Sequence, residues 1–202
     1  MALAVIDTLS FTGNRPSVVE VATGIYAIAF TRGFSNEWLV TVSIDASGNI
    51  GDTVIDSFNF YTGAGSSSHY CGKPSLIHIT GDIYAIAYED VERDGNLVTV
   101  EIDSAGNITE PIIDSLEFLD AGIFQAFPGN LRPHIIHISG DIYAIAYCDF
   151  PGDPQPGVVI TVDIDSAGNI EDAVVDSYTF DADSGEDPCI MHISGTTYAI
   201  AY

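Results

Sequence analysis

Apolar residues in this chain alternate with polar or small residues over short segments, a pattern that predicts half-buried β-strands rather than helices. One such segment recurs four times along the sequence. Its copies are Ile25–Phe30, Ile83–Tyr88, Ile142–Tyr147 and Thr197–Tyr202 (IYAIAF, IYAIAY, IYAIAY and TYAIAY). In the second copy Tyr84, Ile86 and Tyr88 share one face of the strand, and Ala85 and Ala87 share the other. A bulky face and a small face predict that neighbouring copies interdigitate.

Three further strand-like segments accompany this motif in a fixed order, so that each repeat reads A, B, C, D with the recurring motif as strand B. Strands A follow a proline and are predicted at Ser17–Ala22, Ser75–Thr80, His134–Ser139 and Cys189–Ser194. Strands C are predicted at Leu39–Asp45, Leu97–Asp103 and Val158–Asp165. Strands D are predicted at Val54–Phe60, Ile112–Phe118 and Val174–Phe180, and a D-like segment, Ala4–Phe11, precedes the first repeat.

Each connection between strands C and D carries the sequence SGNI or AGNI after a repeated aspartate. A glycine followed by an asparagine supplies positive-φ positions, and the aspartate is expected to hydrogen-bond the turn backbone. The aspartates are Asp45, Asp103 and Asp165. Each turn offers too few carboxylates for calcium, so we interpret the motif as structural.

Repeated four-stranded antiparallel units with short turns are typical of a β-propeller. The sequence therefore predicts an all-β fold in which residues 1–202 form a single β-propeller domain. Three complete repeats cover about residues 16–60, 74–118 and 133–180, and a split fourth repeat joins residues 3–11 with 188–202.

The split repeat lacks strand C, because the predicted strand order is D, ABCD, ABCD, ABCD, AB. Three arrangements fit this order: a three-stranded fourth blade that closes a four-bladed ring, completion by another subunit, or continuation in a longer chain. An uncovered edge strand promotes aggregation, and we favour assembly in trans.

The IYAIAY, IDSAGNI and VIDSxEF-type elements resemble repeats of uncharacterised bacterial, archaeal and environmental proteins that are predicted to be β-propellers. The resemblance covers nearly the whole chain. It implies the propeller fold and carries no catalytic residues.

Charge and cysteine content narrow the function classes. Twenty-nine acidic and five basic residues give a net charge of −24, which repels phosphate backbones and anionic lipid, so nucleic acids and membranes are poor partners. The acidity fits either solubility in a salty habitat or divalent cation binding. The three cysteines, Cys71, Cys148 and Cys189, do not form a disulfide framework, and Cys148 with Cys189 is the pair placed for a single bridge.

The short A–B and C–D turns are nearly identical among the repeats, whereas the B–C and D–A loops all differ. Antiparallel strands put these two kinds of connection at opposite ends of each sheet, which we call the uniform end and the variable end. Binding residues concentrate in loops on rigid scaffolds, so the variable end is the candidate ligand face. The absence of any constraint on the sequences of the B–C and D–A loops would also explain why these loops differ among the repeats.

Two groups of residues are candidate metal sites. His78, His137 and His192 occupy the same position of strand A, where the first repeat has Glu20. Around a common axis these side chains would suit zinc, whereas the alternative is that each histidine packs between blades with a local hydrogen bond. The residues Asp181, Asp183 and Asp187 suit Ca²⁺ but lack the EF-hand pattern, and they also fit a solvated acidic loop.

Five aromatic residues in or beside the variable loops are candidate ligand-binding residues, because aromatic faces stack on sugar rings. They are Phe34, Trp38, Tyr70, Phe124 and Phe127. The alternative is that these side chains cap the ends of the blades.

No common catalytic motif is present, and the aspartates that recur in the D segments are interpreted as structural. They are Asp7, Asp56, Asp114 and Asp176. The sequence favours a non-enzymatic binding or scaffolding module for a glycan or protein surface, as a homo-oligomer or part of a longer chain. No cofactor is expected apart from the candidate metal sites, of which the Ca²⁺ site is the one carried forward. The alternatives are an acidic-loop hydrolase or lyase, which would show one deep site with a perturbed carboxylate, and a structural module of a longer surface protein.

Overall fold

The computed structural model describes residues 5, 7–10, 12–33, 35–63, 72–121, 131–149 and 154–202. Within these ranges the fold is all-β, and fourteen strands form four antiparallel sheets of four, four, four and two strands. None of the described residues forms a helix long and apolar enough to cross a membrane. The all-β class and the antiparallel four-stranded units are therefore as the sequence predicts.

Each sheet is built from strands that are consecutive in the chain. Sheet 1 comprises β1 (Asn14–Ala22), β2 (Ile25–Arg32), β3 (Asn36–Ser43) and β4 (Asp56–Thr62). Sheet 2 comprises β5 (Ser75–Thr80), β6 (Ile83–Glu89), β7 (Gly95–Ile102) and β8 (Ile108–Leu119). Sheet 3 comprises β9 (His134–Ser139), β10 (Ile142–Cys148), β11 (Gly157–Asp163) and β12 (Asp176–Asp181). Sheet 4 comprises β13 (Cys189–Ser194) and β14 (Thr197–Ala201).

Most strand bounds differ from the predicted ones by one to three residues, and β1 and β8 are lengthened the most. β1 begins at Asn14, because Asn14 pairs with Thr31 across an irregularity in the ladder. β8 begins at Ile108, because Ile108 pairs with Ile102 and extends the β7–β8 ladder to the turn. In sheets 1 and 3 the corresponding isoleucines form only isolated bridges.

The predicted interdigitation of bulky and small faces is confirmed. Ala85 and Ala87 of β6 are fully buried and pack with Tyr143 and Ile145 of β10 in the core between sheets 2 and 3. The opposite face of β6 packs against sheet 1 in the same manner. That core includes Ala27, Ala29, Tyr84, Ile86 and Tyr88. Sheet 2 thus presents its alanine face to sheet 3 and its tyrosine face to sheet 1.

Side-chain hydrogen bonds to turn backbone join neighbouring sheets at the uniform end. Between sheets 1 and 2, Asp56 Oδ2 accepts the Ile108 N–H at 2.9 Å, and the Thr41 hydroxyl donates to the Gly106 carbonyl at 2.5 Å. The same bonds recur between sheets 2 and 3 as Ile170–Asp114 at 2.8 Å and Thr99–Gly168 at 2.6 Å. The structural role predicted for these aspartates is therefore confirmed.

The N-terminal D-like segment also contacts sheet 1 through its aspartate. Asp7 Oδ2 accepts the Ile50 N–H at 2.9 Å, the bond that Asp56 makes to the following sheet. The described residues of the segment, Val5 and Asp7–Ser10, are not in a strand.

The first strands of the sheets lie side by side, β1 against β5, β5 against β9 and β9 against β13. The outermost members of this series, β1 and β13, do not pack against each other as the consecutive pairs do. The variable ends of sheets 1, 2 and 3 point the same way, because Ser17 Oγ accepts the Leu76 N–H and Ser75 Oγ accepts the Ile135 N–H in matching register.

Candidate functional site at the variable end

The uniform end is occupied by three copies of one structural turn. Asp103 Oδ1 accepts the N–H groups of Ala105 and Asn107 at 2.9 Å, and Oδ2 accepts the Asn107 side-chain amide at 2.7 Å. These hydrogen bonds lower the pKa of Asp103, and the bond from the Asn107 side chain has the largest effect. The matching bonds lower the pKa values of Asp45 and Asp165 in the same way. The predicted Asx turn is confirmed, with the positive φ on the glycine alone.

An open depression of about 160 Å³ lies beside the third of these turns. Its lining includes Asp163, Asp165, Glu171 and Asp172. Both Asp165 oxygens already accept hydrogen bonds within their own turn. The depression is therefore an acidic surface feature of the turn.

The three repeated histidines each bond locally. Each Nε2 donates to the carbonyl of its own A–B turn, and each ring lies about 5 Å from the tyrosine opposite it. The donor–acceptor pairs are His78–Gly81 at 2.9 Å, His137–Gly140 at 2.9 Å and His192–Gly195 at 3.0 Å. Among the described residues, no group of three or more His, Cys, Asp or Glu side chains is arranged to hold a metal ion.

The three aspartates of the last D–A connection do not converge. Asp181 Oδ1 accepts the N–H groups of Asp183 and Ser184 at 2.8 Å, and Oδ2 accepts the Tyr202 hydroxyl at 3.0 Å. These hydrogen bonds lower the pKa of Asp181, and the bond from the Ser184 N–H has the largest effect. Asp187 forms an ion pair with Arg132. Calcium binding by this set stays a prediction that the geometry does not support.

Of the five aromatic candidates, the structure describes only Trp38. Its side chain is half-buried, and the Arg32 guanidinium lies 5.1 Å from the ring centroid. This distance corresponds to a cation–π contact, which holds the Arg32 guanidinium and the Trp38 ring together at the variable end. The other four candidates, Phe34, Tyr70, Phe124 and Phe127, lie outside the described residues.

Cys148 and Cys189 are free thiols, so the bridge suggested for this pair is not formed. Cys148 is fully buried, and burial raises its pKa to about 12, which makes the thiol unreactive. Cys189 is exposed, with its sulfur 3.8 Å from His134 Nε2. Cys71 lies outside the described residues.

All five basic residues of the chain lie at the variable end. Each of them ends a strand B, lies in a B–C loop, or stands within two residues of the start of a strand A. They are Arg15, Arg32, Lys73, Arg93 and Arg132. The uniform end therefore carries no lysine or arginine, and the two ends of the fold differ in charge as well as in sequence.

Three of these cations share one position, the residue before the proline that opens strand A. In the four sheets this position is Arg15, Lys73, Arg132 and Asp187. Because the first strands lie side by side, the four residues form an arc at the variable end. Arg15, Arg132 and Asp187 hold positive φ angles of 54°, 47° and 54°, a strained conformation that concentrates at functional sites.

Glu89 is a buried carboxylate at the end of β6, in the same region. It is 1% exposed, its Oε2 accepts the Leu131 N–H at 2.8 Å, and its carbonyl accepts the Gly72 N–H at 3.1 Å. Glu89 therefore ties together the chain segments that enter sheets 2 and 3. Burial raises its pKa to about 7, against the opposing effect of the Leu131 hydrogen bond and of Arg93 and Arg15.

The cavity beside Glu89 has a volume of about 10 Å³, which is room for about one water molecule. Its lining includes Arg93, Leu119, Ala121 and Leu131. Within the described residues, this space does not admit a sugar ring at the Glu89 carboxylate.

Sequence reasoning nominated the variable end but missed its main residues. The grouping of the lysine and arginine residues could have been predicted by assigning each of them to one end of the sheets, since all five lie at the variable end. Glu89 carries a weaker signal, because its position holds Thr31 in sheet 1 and Cys148 in sheet 3, so it departs from the repeat.

No protein-family model matches the chain, and the comparison with curated proteins found no significant match.

Proposed function

We propose that this chain is a non-enzymatic binding module, a β-propeller whose blades are the four sheets, which recognises a glycan through its variable end. The observation that carries the proposal is the placement of every lysine and arginine at that end of a chain with 29 acidic residues. A solvated surface of random composition would not segregate its cations in this way.

The blade arrangement is supported by how consecutive sheets pack. At the junctions of sheets 1 and 2 and of sheets 2 and 3 an alanine face meets the tyrosine face of the next sheet, and the first strands follow one another as the inner strands of blades would. In a propeller, loops at one end of all blades form a common surface. The arc of Arg15, Lys73, Arg132 and Asp187 would then surround the mouth of the central channel.

The charges at the variable end point to a glycan that carries carboxylates. Arginine binds carboxylates with two parallel hydrogen bonds, and an aromatic ring stacks on the apolar face of a sugar. Lys73 and the Arg32–Trp38 pair offer both kinds of contact, and Arg132, which pairs with Asp187, would exchange that carboxylate for one of the glycan. Because the net charge of −24 repels long polyanions, a short oligosaccharide with few carboxylates fits best.

A glycan array that includes short oligogalacturonates and their neutral counterparts tests this proposal. We expect binding to the uronate-bearing oligosaccharides and a loss of about tenfold or more for Arg132→Gln and for Lys73→Gln, since a charged hydrogen bond contributes about 1.5–3 kcal/mol. Glu171→Gln, at the uniform end, is the matched control and should bind like the parent. Equal binding of neutral and acidic glycans, or no binding to either, would contradict the proposal.

An acidic-loop hydrolase is the second candidate, favoured by one observation, the raised pKa of Glu89. A carboxyl that titrates near neutral pH suits a general acid. The carboxylate is engaged with the Leu131 N–H and faces a water-sized cavity, so a structural role explains it as well. Release of reducing sugar from an array ligand, abolished by Glu89→Gln, would favour the hydrolase.

A further inference from the structure

The two ends of the series of sheets expose apolar residues whose counterparts are buried inside the fold. On β1, Val18 is 55% exposed. The residues at the same position of the other first strands are buried. Their exposures are 6% for Leu76, 3% for Ile135 and 4% for Ile190. We call the face of sheet 1 that includes Val18, Tyr26 and Ile28 the head surface.

At the opposite end of the series, sheet 4 exposes its other face, the alanine face. On β13, Met191 and Ile193 are each 55% exposed, whereas the matching residues of β1, β5 and β9 pack in the cores between sheets. Ala199 and Ala201 of β14 are also exposed. Their counterparts Ala27, Ala29, Ala85, Ala87, Ala144 and Ala146 are at most 2% exposed. We call the face that includes Met191, Ile193, Ala199 and Ala201 the tail surface.

The head and tail surfaces are complementary to each other. The head is a tyrosine face and the tail an alanine face, and these two kinds of face meet at both junctions of complete sheets in the chain. Contacts between sheets 1 and 2 show what such a junction contains. Tyr84 and Ile86 pack on Ala27 and Ala29, and Leu76 of β5 lies beside β1.

We propose that the tail surface of one copy of this chain binds the head surface of a second copy, so that the junction between copies continues the internal series of sheets. Within one chain β1 and β13 do not pack together as consecutive first strands do, which leaves both surfaces open to a second copy. Two such contacts close a ring of two copies. The ring would contain eight sheets, four from each chain, which lies within the range of about four to eight blades known for propellers.

The proposal places specific residues of two copies next to each other. Ser17 and Ser75 each accept the N–H of the next first strand, from Leu76 and Ile135. At the junction between copies Cys189 holds the serine position, so it would lie next to Val18 of the second copy. The exposed thiol of Cys189 makes this contact open to a cross-linking test.

Native mass spectrometry of the full chain measures the assembly. We expect twice the mass of one chain at micromolar concentration and physiological ionic strength, where surface repulsion is screened beyond about 8 Å. Ile193→Asp should return the assembly to a single-chain mass. Thr196→Asp adds the same charge to the exposed β13–β14 turn, where the matching turns of sheets 2 and 3 carry Asp82 and Asp141, and it should keep the doubled mass. A single-chain mass for the parent protein, or a doubled mass that survives Ile193→Asp, would overturn the proposal.

Cross-linking provides a readout that does not depend on how Ile193→Asp folds. Oxidised Val18→Cys is expected to form a disulfide-linked species of two-chain size, and Val18→Cys combined with Cys189→Ser is expected to remain at one-chain size. A disulfide that joins the introduced cysteine to Cys189 of the same chain would show that the chain closes on itself, and it would overturn assembly between copies.

Discussion

Replacement of Tyr143 by alanine is expected to lower the free energy of unfolding by about 3–5 kcal/mol, the range measured for removal of a buried aromatic side chain. Tyr143 is 3% exposed and packs with Ala85 and Ala87 in the core between sheets 2 and 3. Its ring also lies 5.0 Å from that of His137. The cavity left by the substitution would therefore open the junction between two sheets. Urea unfolding followed by far-UV circular dichroism measures the loss.

Tyr178→Ala is the matched control for this experiment. Tyr178 lies on β12 and is 70% exposed, so its removal should change stability by no more than about 0.5 kcal/mol. Similar losses for the two variants would show that the buried tyrosine faces do not hold the sheets together.

Replacement of Glu89 by glutamine is expected to stabilise the protein at pH 8 and to have little effect near pH 4.5. Glu89 has a pKa of about 7 when folded and an ordinary value of 4.5, so the folded chain binds more protons between these values. Stability from this group is therefore present at low pH and is lost as the pH rises through about 7. Glutamine keeps an oxygen for the Leu131 N–H and cannot ionise. The expected gain at pH 8 is on the order of 3 kcal/mol.

Glu92→Gln controls for the change in net charge, because Glu92 is an exposed residue of the same loop. Urea unfolding at pH 4.5, 6 and 8 should show a pH-dependent difference from the parent for Glu89→Gln alone. A loss of stability for Glu89→Gln at pH 8 would mean that the ionised carboxylate stabilises this region, contrary to the burial argument.

The sequence predicted the strands and their faces because the signals for both are local. The alternation in Ile83–Tyr88 assigns Tyr84 and Ala85 to opposite faces, and the structure buries them in different cores. The Asx turns were likewise predicted from Asp103, Gly106 and Asn107, whose hydrogen bonds all lie within five residues of the chain.

The variable end could not be predicted in the same detail, because its contacts join residues that are distant in the sequence. Glu89 bonds the N–H of Leu131, 42 residues away, and Arg132 pairs with Asp187, 55 residues away. Neither pair follows from periodicity. The histidines occupy identical positions in three repeats, which suggested either a shared site or local hydrogen bonds; each histidine bonds its own turn, and the shared metal site stays a prediction.

Hydrogen–deuterium exchange in the presence of a short oligogalacturonate tests most directly whether the variable end is the ligand face. Slower exchange is predicted in the variable-end segments that hold Arg93 and Arg132, with no change in the uniform-end turns at residues 103–108 and 165–170. Slower exchange confined to the uniform-end turns would contradict the account, because it would place the ligand at the end that carries no lysine or arginine.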